Sequence, residues 1–118
     1  MRASDPGVKV LAEEVGSGTV AGRGDTVFFD LEIALNKGEV IHPRSGLDHR
    51  IGRRMLIAGV EKALEGMREG GYRKVRVSPH LAYREAGVPG RIPANAVLIC
   101  SIWMKRVSKK ESGIGGAA

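Results

Sequence analysis

Cysteine is almost absent from this sequence. Cys100 stands alone among 118 residues, so no internal disulfide can staple the chain. It lies in an apolar run, where a lone thiol behaves as a small buried hydrophobe. Aromatic residues are nearly as scarce: Phe28, Phe29, Tyr72, Tyr83 and Trp103 are the whole set. The core must therefore be aliphatic, and any pocket is short of rings. Long apolar runs are missing as well. None approaches the roughly 20 residues needed to cross a bilayer, and the opening MRASDPGVKV lacks the apolar stretch of a secretory signal. A soluble cytoplasmic protein with no membrane partner is the expectation.

Familiar chemistry is missing too. His42, His49 and His80 form no close pair with metal-ligand spacing, so no metal is expected. There is no G-x-S-x-G, phosphate-binding loop or dinucleotide fingerprint. No cofactor is expected, and an enzyme built from this chain would work without a covalent intermediate. Acidic residues are outnumbered, with 13 Asp and Glu against 19 Lys and Arg, for a net charge of +6. The densest basic stretch is RSGLDHRIGRR, residues 44–54. A solvated basic surface is the expected meaning. Zinc-finger, helix-turn-helix and aromatic-basic signatures are lacking, so nucleic acid is not an expected partner. Arg44, Arg50, Arg53 and Arg54 keep it only as a third reading.

What is present fits one domain over residues 8–107, with frayed ends at 1–7 and 108–118. VKVLAEEV, residues 8–15, reads as a strand. In DTVFFDLEIAL, residues 25–35, Val27, Phe29, Leu31, Ile33 and Leu35 share one face, the period of a half-buried antiparallel strand. NKGE suggests a tight turn, VI resumes extended structure, and HPRSGLDHR reads as a polar loop. The period changes in LIAGVEKALEGM, residues 56–67. Ile57, Val60, Leu64 and Met67 recur at helical steps, with Gly70 and Gly71 as the stop. YRKVRVS returns to period two with Val75 and Val77 inward. In the final run Leu98, Cys100, Ile102 and Met104 alternate with Ile99, Ser101, Trp103 and Lys105. Trp103 thus falls on the face opposite Cys100. About five antiparallel strands wrapped around one amphipathic helix give an α+β roll.

Between the last two strands lies SPHLAYREAGVPGRIPANAVL, with Pro79, Pro89 and Pro93 and with Gly87 and Gly90. A hairpin needs far fewer residues to turn. The run GVEKALEGMREGGYRKVRVSPHLAYREAGVPGRIPANAVLI resembles the FKBP-type peptidyl-prolyl isomerases. The marks occur in order: an I-x-G helix start at Ile57 and Gly59, then E-G-M with a following glycine at Gly70. S-P-x-x-A-Y comes next (Ser78 to Tyr83), then G-x-P-G-x-I-P (Gly87 to Pro93) and an N-A-x-L strand start. GDTVFFDLEIALNKGEVI, residues 24–41, is similar to the family's G-D-x-V opening, and the likeness spans about residues 8–107.

The resemblance implies that the long loop arches over a shallow apolar pocket between helix and sheet. It implies acceleration of cis–trans exchange at X-Pro bonds by non-covalent stabilisation of a twisted amide. Partners would be proline-containing peptides or unfolded protein clients, with the protein as a monomer. Carried over by position, Tyr83 would bond a substrate carbonyl through its phenol and the Ile57 N–H would bond another. His42 stands where many members place an aspartate. Leu31, Ile41, Leu56, Val60, Ile92 and Cys100 would line the pocket. Many members carry rings where Leu31, Ile41, Val60 and Cys100 stand, which implies a wider or shallower site, weakened activity and weak macrolide binding. LDHRIGRRMLIAGVEKALEG resembles the SlyD-like bacterial branch, which suggests a bacterial protein, here without that branch's chaperone insert. The same departures leave open a binding module that docks peptides without turnover.

Overall fold

In a computed structural model, the protein is described at residues 7–36, 38, 40–53, 56–82, 87, 89 and 92–109, with the backbone alone at 41 and 42. The N-terminal residues 1–6 and the tail 110–118 lie outside the described residues.

The strict alternation of residues 25–35 produces β2, Thr26–Leu35, whose five inward side chains are all buried and whose outward ones are half-buried. Phe29 keeps 1% of its surface exposed, a burial worth about 1.5–3 kcal/mol for a side chain of this size. β2 pairs antiparallel with β5, Leu98–Ser108. Inward Leu98, Cys100, Ile102 and Met104 are fully buried there. The alternation then slips. Phe29 pairs with Met104 but Phe28 pairs with Arg106, so Lys105 is an extra residue, a β-bulge. That slip returns Val107 to the interior opposite Val27.

β4, Tyr72–Val77, pairs with β5 on its other side, and β1, Val8–Glu14, pairs with β4. Val75 and Val77 point inward as expected. The strand order is β1-β4-β5-β2-β3, antiparallel throughout. Trp103 lies on the outer face, 37% exposed, with the Tyr72 ring 5.2 Å away.

One expectation is overturned at the edge. HPRSGLDHR is not a loop but most of β3, Val40–Arg50, hydrogen-bonded along β2. Its register shifts twice, between Phe29 and Leu31 and between Ile33 and Ala34 on the β2 side. Those irregularities erase the period of two. An edge strand can also hold Pro43 and Gly46, because one side of its backbone needs no partner strand. The Gly46 N–H, for example, donates to the Asp30 Oδ1 at 2.9 Å.

The helix is shorter than its apolar period. α1 runs Ala58–Leu64, with Ile57 as N-cap. It ends at Gly66, whose φ of +92° is a left-handed geometry suited to glycine; Gly70 and Gly71 are not its stop. Met67 is buried all the same, beyond the helix. Seven residues do not make a stable helix alone, so packing must hold this one. Val60, Ala63 and Leu64 are buried toward the sheet. Gly59 sets the close approach: a Cβ there would stand 2.3 Å from the Val77 Cγ1 on β4.

Candidate functional site

The buried face of the sheet, toward α1, collects most of the residues expected to line a pocket. Leu31 comes from β2, in register with Ile102 of β5, and Cys100 comes from β5 between Ile33 and Val75. Val60 comes from α1, and Ile92 from the segment before β5. All four belong to one buried apolar cluster, with Leu56 and Ile57 packed half-buried against it. Exposure is 5% for Leu31, 1% for Val60, 7% for Ile92 and 0% for Cys100, so these four form floor rather than open wall. Leu56 and Ile57 are the accessible members.

Three expected residues are only partly described or not described. Ile41 and His42 sit on β3, with His42 in register with Ile33, and their side chains are outside the described residues, as is all of Tyr83. The described parts of the long loop are closely built. Pro79–Leu81 forms a short 3-10 turn with proline in its first turn, and the Ala82 N–H donates to the Pro79 carbonyl. A Cβ on Gly87 would meet the Ile92 carbonyl oxygen at 2.3 Å. Only glycine lets that part of the loop lie directly on the backbone of Ile92.

Ile57 has φ −60° and ψ 148°, so the chain turns from extended to helical there. Its carbonyl accepts from the N–H groups of Val60 and Glu61 at 3.0 and 3.1 Å. Among the described residues nothing accepts from its own N–H. Among the described residues, the start of this short helix thus leaves the Ile57 N–H without an acceptor beside an apolar cluster, as it does the N–H groups of Ala58 and Gly59. That combination can hold an apolar side chain and orient one carbonyl.

Burial pushes the Cys100 thiol up to about 12 from its ordinary 9.0. It stays protonated at neutral pH, and only a thiolate would be a nucleophile. Among the described residues no group of three or more His, Cys, Asp or Glu could hold a metal.

Sequence reasoning missed one polar cluster. His49, near the end of β3, is buried, and its Nε2 lies 2.6 Å from the Glu61 Oε1 on α1. The Gly52 N–H donates to the other oxygen, Oε2, at 2.5 Å. Twelve residues separate His49 from Glu61, and no local spacing signals such a pair. Glu61 reads simply as part of the helix's polar face.

A five-stranded antiparallel sheet with one helix packed on it is the FKBP-like α+β fold. Residues 18–105 match the family described as FKBP-type peptidyl-prolyl cis-trans isomerase. FK506-binding protein 1A of Neurospora crassa is 33% identical over 113 residues, covering 89% of this chain and 94% of that protein. The 46 kDa FK506-binding nuclear protein of Spodoptera frugiperda is 32% identical over 105 residues, 86% of this chain and 26% of its own length. FK506-binding protein 4 of Aspergillus fumigatus is 33% identical over 99 residues, 81% of this chain and 20% of its own. The chain belongs to the FKBP-type peptidyl-prolyl cis-trans isomerase family. It spans a fifth to a quarter of the two longer relatives and nearly all of the Neurospora protein. These three relatives are fungal and insect proteins, which gives the expected bacterial origin no support.

Proposed function

We propose that this protein is a peptidyl-prolyl cis-trans isomerase acting on X-Pro bonds in peptides and unfolded clients. The observation that carries this reading is the Ile57 N–H, without an acceptor among the described residues, beside the cluster of Leu31, Leu56, Val60, Ile92 and Cys100. Resonance holds the X-Pro amide planar behind a barrier of about 18–20 kcal/mol. Twisting the bond removes conjugation and makes the amide less polar. An apolar, water-poor cleft favours the twisted form over the planar hydrated one. The Ile57 N–H would orient the chain by donating to one of its carbonyl oxygens. In this reading Tyr83 supplies a second donor through its phenol, Ile41 extends the apolar wall, and His42 flanks the site. No acid, base or metal is required.

The experiment is a protease-free assay of cis-to-trans relaxation on short X-Pro peptides, comparing the parent with Tyr83→Phe, Ile57→Pro and Ile57→Val. Proline adopts the φ that Ile57 already has, removes the N–H and part of the side chain, and confines Leu56 before it to extended backbone. Acceleration by the parent that falls in Ile57→Pro and in Tyr83→Phe, but survives Ile57→Val, is the expected result. No acceleration by the parent would overturn the reading.

A second reading is favoured by the near-complete burial of Val60 and Cys100: a peptide-docking module whose aliphatic floor is packed shut. Peptide binding without turnover would select it. Macrolides should bind weakly in either case, since Leu31, Val60 and Cys100 offer no rings to stack against.

A further inference from the structure

We infer that Glu61 is a positioning residue for the accessible wall of the site, and that His49 holds it in place. The inference rests on the isomerase reading and deepens it.

Glu61 touches both ends of the connection between β3 and α1. Its backbone N–H donates to the Ile57 carbonyl at 3.1 Å. Its side chain accepts from the Gly52 N–H through Oε2 and meets the His49 Nε2 through Oε1 at 2.6 Å. One residue therefore fixes where the connection leaves β3 and where it enters the helix. The connection carries Leu56 and Ile57, the two pocket residues that are not buried floor. Glu61, Ile51, Gly52 and Leu56 also border a pocket of about 340 Å³, so one side of Leu56 faces open space while the other packs against the core. On the open side the Glu61 hydrogen bonds add the bracing that packing does not supply.

His49 limits the carboxylate in turn. Its side chain is 3% exposed, against 16% for Glu61, so water does not compete freely for the bond. With both oxygens engaged, the carboxylate cannot swing about its last torsion without breaking one bond or the other. The helix start that bears the Ile57 N–H is then held in a fixed frame. Such placement governs rate strongly, because a displacement of about 1 Å can cost on the order of 100-fold.

The test compares the parent with Glu61→Ala, Glu61→Gln, His49→Phe and the double variant Glu61→Ala/His49→Phe. It uses kcat/KM on X-Pro peptides and hydrogen exchange at the Val60 amide, which donates to the Ile57 carbonyl. Glu61→Ala should lower kcat/KM by about tenfold or more and speed exchange at Val60, while β2 and β5 amides stay protected. Glu61→Gln keeps an acceptor for Gly52 and should stay within about threefold of the parent. His49→Phe should lose less than Glu61→Ala, and the double variant no more than Glu61→Ala alone, because the two act through one contact. Unchanged kcat/KM in Glu61→Ala, or additive losses in the double variant, would overturn the inference. If the parent does not accelerate isomerisation, the isomerase reading fails and the Val60 amide alone decides. Faster exchange confined to the helix start then supports the positioning role, and no change removes it. Should Glu61→Ala not fold, His49→Phe carries both readouts.

Discussion

β2 and β3 lie side by side and share a ladder, yet they follow different rules. β2 has a partner strand on each edge and a core against one face, so every second side chain must be apolar. β3 is the outermost strand, paired on one edge only, and carries a proline, a glycine and several charges through two register slips. The pair Phe29 and Leu47 shows the contrast directly: they face each other across the ladder, but Phe29 is 1% exposed and Leu47 only half-buried. Where both edges are paired, composition is dictated. Where one is free, it is left to other demands, and here those include holding His49 against Glu61.

Substitution at the two members of that pair would break the comparison most sharply. Phe29→Ala should destabilise the protein by about 3–5 kcal/mol, whereas Leu47→Ala should remain at or below the roughly 2 kcal/mol lower bound for buried leucine. Urea unfolding monitored by circular dichroism gives both values, and equal losses would mean that β3 is as strictly determined as β2. A smaller effect is expected where the helix meets β4. Gly59→Ala should cost about 1–3 kcal/mol through crowding of Val77, with much of it recovered by adding Val77→Ala. Absence of recovery would place the strain elsewhere.

The effect that is smallest near neutral pH concerns charge in the interior. The Cys100 thiol is neutral in the folded protein up to about pH 12, whereas the unfolded chain ionises it from pH 9.0 upward. In that window the unfolded state binds fewer protons, so stability falls as pH rises, by about 1.4 kcal/mol per pH unit. Cys100→Val should show a shallower alkaline decline by that difference. Identical slopes for parent and variant, measured by urea unfolding from pH 8 to 11, would contradict the burial of the thiol.

The sequence announces its fold wherever one face is buried and the other is not. β2, β4 and β5 are legible for that reason, and so is the turn of the helix that bears Val60 and Leu64. β3 is not, because bulges destroy periodicity without destroying hydrogen bonds. The helix end is also misjudged from the pattern, since Met67 continues the apolar spacing after Gly66 has already broken the backbone. The site is legible in part. The apolar floor follows from strand and helix periods, with Leu31, Val60 and Cys100 on inward faces. Its placement as a pocket came from the resemblance carried by Gly59, Gly87 and Ile92, two of which are now seen to permit contacts closer than any side chain would allow. Glu61 and His49 were invisible because a polar clamp between distant residues leaves no periodic trace.

Trp103 is the sole tryptophan, and it looks away from the cluster of Cys100 and Val60 toward solvent, beside Tyr72. Intrinsic emission is therefore a sensor of the sheet's outer surface. A ligand bound against that cluster would lie across the sheet from Trp103 and leave its emission nearly unchanged, while unfolding, which separates Trp103 from Tyr72, would register at once. Binding to this protein has to be read by calorimetry, by nuclear resonance or by a labelled ligand.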